Sequence, residues 1–197
     1  MKMVQHGVGA STYVADEFEA EDIGAPFKVM LHGAVKVTVN EFGECLSYSI
    51  PDLEGLIAAV VIARILHPRK LFGADIKFIR KAICLKQKDL ASKLEMSPEY
   101  LSRCETGANV MAPSSEKLLR ILSLKSAIKL HKMKSCDAKT TIEDALDRLF
   151  DAIKPLPVYD VEDVLELNFC RPRPVTDGAG TDDTDDGLWE AEKGIAA

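Results

Sequence analysis

Between residues 86 and 107 the sequence sets polar side chains of one particular kind at helical intervals. Gln87 and Lys88 open a short apolar-periodic stretch. Ser97 opens the next, followed by Glu99, Tyr100, Ser102 and Arg103. These are groups that can meet a nucleic acid. An Arg can grip the O6 and N7 of a guanine, and a Glu can accept from a cytosine amine or hold off a phosphate. Ser102 is small enough for close approach, and Tyr100 can touch a thymine methyl or a phosphate. Backbone amides at a helix start, with Gln87 and Lys88 beside them, favour a phosphate. Lys77, Lys81 and Lys86 are weaker phosphate candidates. The same side chains would also suit a solvated face on a helical core, so the elements that carry them must decide.

Those elements are three short helices, predicted over 75–85, 87–94 and 97–106. Leu90, Ala91 and Leu94 give the second helix one apolar face. Met96, Leu101 and Cys104 give the third a matching one. Ser97 can cap the third helix, Pro98 suits its first turn, and Gly107 follows as a stop. The turn between them holds Glu95, where a small residue is usual. A side chain held left-handed there costs ~1–2 kcal/mol against Gly.

The stretch "DIKFIRKAICLKQKDLASKLEMSPEYLSRCETG" resembles the Cro/cI-type (XRE) helix-turn-helix. The matching positions are Gln87, Leu90-Ala91, Ser97 and Glu105-Thr106-Gly107. More narrowly, "SIPDLEGL" followed by "FGADIKFIRKAICLKQKDLASKLEMSPEYLSR" is similar to regulators grouped with MqsA-like antitoxins. The paired cysteines of that group's zinc-binding domain have no counterpart here. The resemblance implies that the third helix enters the major groove of double-stranded DNA. It also implies that an Arg on the first helix pairs with the Glu at the end of the third. Here these are Arg80 and Glu105, a structural pair rather than a base-reading one.

Charge is organised along the chain. Net charge is −6, yet residues 64–134 hold sixteen Lys or Arg against six Asp or Glu, a net +10. Residues 1–63 carry −6 and residues 135–197 carry −10. A basic middle with acidic flanks points to a nucleic-acid surface.

Around this block the chain reads as follows. Residues 1–25 are polar, acidic and expected to be loose. Residues 26–68 hold a β-hairpin, with Val35, Val37 and Val39 alternating with Lys36 and Thr38, and Leu46, Tyr48 and Ile50 with Ser47 and Ser49, around a turn at "NEFGE". "KVML" is a possible third strand. Asp52 is a candidate N-cap for the helix "LEGLIAAVVIARILH", which is apolar nearly all round. One face of that helix suits the hairpin and the other a dimer interface. Residues 69–134 hold the DNA-binding unit, closed by a helix starting near Ser114 or Ser115, with Leu118, Leu119, Ile121 and Leu122 as its stripe. Residues 135–170 are expected to be a helical extension, with a capping box at Thr140 and Glu143. Residues 171–197 are expected to be a disordered acidic tail. The expected fold class is thus mainly α with a small N-terminal β-hairpin or sheet. It comprises a five-helix Cro/cI-type domain, a flanking dimerisation element and an acidic tail.

Five cysteines without C-x-x-C spacing, and four scattered histidines, give no disulfide framework and no metal site. No phosphate-cradling Gly loop and no nucleophile motif is present, so the chain reads as a non-enzyme without cofactor. No apolar run reaches the ~20 residues of a membrane helix, and the start lacks a signal-peptide core. A cytoplasmic protein, bacterial or phage-derived and on the nucleoid when bound, is expected. The expected function is a sequence-specific transcriptional regulator, a repressor or autoregulator, binding a palindromic operator as a homodimer. The alternatives are the antitoxin of a toxin–antitoxin pair, with a toxin protein as partner, and an interaction module that has lost DNA binding.

Overall fold

Strands drawn from three distant parts of the chain make two four-stranded sheets in the computed structural model, which describes residues 4–5, 10–130, 164–171 and 188–191. The first sheet holds β1 (Val4–Gln5), β2 (Ala10–Val14), β5 (Lys36–Asn40) and β6 (Cys45–Ser49), antiparallel in the order β1-β2-β5-β6. The second holds β3 (Glu17–Glu19), β4 (Lys28–His32), β7 (Glu166–Cys170) and β8 (Glu190–Ala191), in the order β3-β4-β7-β8. Strands β4 and β7 run parallel. They set Val29 opposite Leu167 and Leu31 opposite Phe169, all buried.

The expectation of a mainly α chain is therefore corrected: the architecture is α/β. The hairpin of β5 and β6 lies where its alternation places it, with the turn organised by the Asn40 side chain. "KVML" is a strand, but it joins the second sheet and not the hairpin. Residues 10–25, expected to be loose, form β2, β3 and a short 3-10 turn at Glu21–Ile23. Their polar composition hid this, because a strand needs partners on its edges more than an apolar run. Leu188–Ala191, expected in a disordered tail, returns to the second sheet. Trp189 is buried there, and its indole N–H donates to the carbonyls of Pro51 and Asp52 at 3.1 and 3.2 Å. Glu166–Cys170, expected within a helical extension, is instead β7, a strand in the middle of the second sheet. The expected capping box at Thr140 and Glu143, most of the helical extension and most of the acidic tail lie outside the described residues.

Five α-helices complete the described chain: α1 (Leu53–Leu66), α2 (Gly73–Ala82), α3 (Gln87–Lys93), α4 (Pro98–Glu105) and α5 (Pro113–Leu130). Asp52 caps α1 by accepting from the Gly55 amide at 3.0 Å. A Cβ at Gly55 would overlap that carboxylate, so the cap requires glycine three residues on. Leu56, Val60, Val61 and Ile65 of α1 are fully buried. The expected dimer face of α1 is corrected as well: α5 packs along it within the same chain. An all-round apolar helix needs two covers, and α5 is the second. On α5 itself Leu119, Leu124 and Ala127 face inward, whereas Leu118 stays exposed.

Candidate nucleic-acid interface

The unit of α3 and α4 is built on a small apolar seam. Leu90, Ala91, Leu101 and Cys104 are 1% exposed or less, and Leu94 closes the turn end. Ala91 is small where the two helices cross, which lets them approach closely. After α3 the chain turns through Glu95, held left-handed at φ +53°. The Met96 amide donates back to the Ala91 carbonyl at 3.0 Å, and the Glu95 amide to the Ser92 carbonyl at 3.3 Å. This is the Schellman closure, which normally takes glycine at the left-handed position. The same closure ends α2, with Cys84 at φ +57°. Ser97 then caps α4, its hydroxyl oxygen accepting from the Tyr100 amide at 3.1 Å, with Pro98 in the first turn.

The outward face of α4 carries Glu99, Ser102, Arg103 and Thr106, at intervals of three and four that put them on one side of a helix. Together with Gln87 and Pro98 they line an open depression of about 390 Å³. Glu99, Arg103 and Thr106 are exposed and Ser102 is half-buried. Two expected contact residues have other duties. The Ser97 hydroxyl is occupied by its capping bond. Tyr100 leans onto the core, and its hydroxyl donates to the Val110 carbonyl at 3.5 Å. Thr106 is the face residue that the sequence reading missed. Its signal was present, because it lies four residues beyond Ser102 and seven beyond Glu99.

Behind this face sits the pair of Arg80 and Glu105. The guanidinium meets the carboxylate through two bonds, Nε to Oε1 at 2.5 Å and an Nη to Oε2 at 3.0 Å. Arg80 also donates to the Leu85 carbonyl at the end of α2. Gln87 donates its amide to the same carboxylate at 2.9 Å. Gln87 thus rims the depression while its Nε2 is committed to Glu105, so it ties α3 to α4. The hydrogen bond to Glu105 raises the Arg80 pKa above its ordinary value. Lys88 stands exposed at the start of α3.

A second set of charges, unforeseen from sequence, fixes this unit to the rest of the molecule. Arg64 is 1% exposed. It forks onto Asp75 with bonds of 3.2 and 2.7 Å and donates to the carbonyls of Arg69 and Lys70. Glu116 receives Lys70, the Leu71 amide and Arg120. Arg120 reaches the carbonyls of Ile65, His67 and Arg69. The connection from His67 to Phe72 is therefore gripped from α1, α2 and α5 at once. Burial pushes the Glu116 carboxyl up. The bonds from Lys70, Leu71 and Arg120 outweigh burial and hold it below its ordinary value. Burial, then the charges of Arg64, Arg120 and Arg69, lowers His67 to about 4. Its Nδ1 accepts from the Arg69 amide at 3.1 Å. The hint in the sequence was Arg64 inside an apolar run, and Arg120 one helical turn after Glu116.

These pairs change how the basic block is read. Arg64, Lys70, Arg80 and Arg120 are spent on internal carboxylates. Lys77, Lys81, Lys86, Lys88, Lys93 and Arg103 remain exposed on α2 to α4, against exposed Asp89, Glu95 and Glu99. These three helices and their connections keep a positive excess at the surface, smaller than the segment total suggests. No described helix is long and apolar enough to cross a membrane. No family model, curated protein or solved structure matches the chain.

Proposed function

We propose that the chain is a sequence-specific DNA-binding regulator of transcription. In this reading it is a cytoplasmic homodimer that represses by covering an inverted-repeat operator. The observation that carries this is the outer face of α4. Glu99, Ser102, Arg103 and Thr106 stand together on one rigid helix, whose back is fixed by Leu101, Cys104 and the Arg80–Glu105 pair. A helix so backed can enter a major groove without losing its aim. In this reading Arg103 would grip a guanine and Glu99 would accept from a cytosine amine. The exposed Lys86 and Lys88, and more weakly Lys77 and Lys81, would meet phosphates and set register. One such helix reads only a few base pairs, so two copies would sit on half-sites about 34 Å apart.

Selection of binding sites from a random duplex library tests the reading. Enrichment of an inverted repeat is expected, with affinity falling steeply with salt. Arg103→Ala should relax the preference at one position of each half-site and cost ~1–3 kcal/mol, whereas Lys88→Ala should weaken all sequences alike. Equal affinity for every duplex, or no salt-sensitive binding, would reject it.

A further inference from the structure

The hairpin of β5 and β6 is unusually bare. All five residues of β6 are exposed, where a strand with one packed face should alternate. Among the described residues β6 is also the outer strand of its sheet, so a row of its backbone groups faces no described strand. Natural edges are blunted by Lys, Pro, inward charges or bulges. Cys45–Ser49 has no charge and no Pro, in a chain that is 28% charged. It does have a bulge opposite Thr38 and Val39, which leaves Leu46 without a partner on β5 and 59% exposed. At the hairpin tip Phe42 is 86% exposed. The tip is nevertheless ordered: the Asn40 side-chain oxygen accepts from the amides of Phe42 and Glu44 at 3.0 and 2.9 Å, and its Nδ2 donates to the Glu44 carboxylate at 2.8 Å. At the other end the Tyr48 ring lies 4.9 Å from that of Phe18, and its hydroxyl donates to Asp22. An ordered, bare apolar edge loses little entropy when it is covered.

From this we infer that the β5–β6 hairpin is the surface through which two copies of this chain associate, β6 lying antiparallel to its counterpart about a two-fold axis. Charge selects a second copy as the occupant. A two-fold axis pairs residue i with j and j with i and brings only the residues beside the axis near their own duplicates, so like charges close to the axis would repel. Cys45–Ser49 is neutral throughout. Leu46 and Tyr48 flank Ser47, so an axis at Ser47 sets each Leu46 against the partner's Tyr48, an apolar cross-strand pair. Area sets the strength. The strand and Phe42 together offer on the order of 500 Å² per copy, about 1,000 Å² in all, at the lower limit of specific interfaces. The dimer is therefore weak in solution and tightens when both α4 helices share one DNA. The inference rests on the regulator reading for its purpose, two half-sites needing two copies, and on the hairpin alone for its place.

Sedimentation of the full chain without DNA tests it. A reversible dimer with a dissociation constant in the micromolar range is expected. Leu46→Asp sets a carboxylate against the partner's Tyr48 ring on both sides of the axis and should raise that constant at least tenfold, with an unchanged thermal melt. Phe42→Ser should raise it as well, and it decides the matter if Leu46→Asp alters the fold. A monomer at all concentrations into the hundred-micromolar range, or a dimer that neither substitution weakens, overturns the inference. A hairpin-dependent dimer that ignores DNA would count against the regulator reading and leave this one standing.

Discussion

Removal of Arg80 isolates the contact that aims α4. Glu105 keeps only 4% of its side chain exposed, and Arg80 13%. Three donors converge on the carboxylate, two from Arg80 and one from Gln87. Arg80→Ala leaves Glu105 buried with the Gln87 amide alone and also frees the Leu85 carbonyl. A broken buried pair costs about 3–5 kcal/mol. For a chain of this size each kcal/mol moves the melting temperature by about 2–4 °C. Differential scanning calorimetry should therefore show a drop of roughly 6–20 °C. Glu105→Ala should fall similarly. The double variant should lose clearly less than the sum, because the second deletion removes the charge that the first left stranded. A melt of Arg80→Ala within a degree of the parent, or strictly additive losses, would refute the reasoning. It would mean that the carboxylate is solvated and that hydrophobic contacts alone hold α4.

Four further outcomes are expected. Glu95→Gly relieves a side chain held left-handed and should stabilise by ~1 kcal/mol in urea unfolding, since the Schellman bonds stay intact. Gly73→Ala places a Cβ 2.5 Å from the Cys104 carbonyl and 2.7 Å from the Gly107 amide; it should destabilise by about 1–3 kcal/mol and, on the proposed regulator reading, weaken DNA binding by displacing the end of α4. His67 is held neutral when folded, at about 4 against 6.5 unfolded. The unfolded chain therefore binds its proton first, and stability should fall as pH drops from 6.5 toward 4; His67→Asn should flatten that part of a pH series of urea melts. Trp189, the single tryptophan, should give a blue-shifted emission that moves red when the C-terminal strand is released, and Trp189→Ala should cost about 3–5 kcal/mol.

The hairpin, the cap at Asp52, the seam of Leu90, Ala91, Leu101 and Cys104, and the Ser97–Pro98 start of α4 were all legible in the sequence. Each is decided within a few residues, by periodicity or by which side chain can reach a nearby amide. Glu95 was legible as a departure, and the structure shows how the turn accommodates it. Tertiary structure alone decided the second sheet. β4 and β7 are 138 residues apart from Lys28 to Glu166, and nothing local in either strand names its partner. It also decided which charges point inward. Arg64 and Arg120 look like surface cations in a basic block until the fold sets Asp75 of α2 against the first and the carbonyls of Ile65, His67 and Arg69 against the second. Burial is a property of the neighbours a fold supplies, so the sequence by itself determined which helices form and how they start. The fold determined which of their side chains remain free to meet a partner.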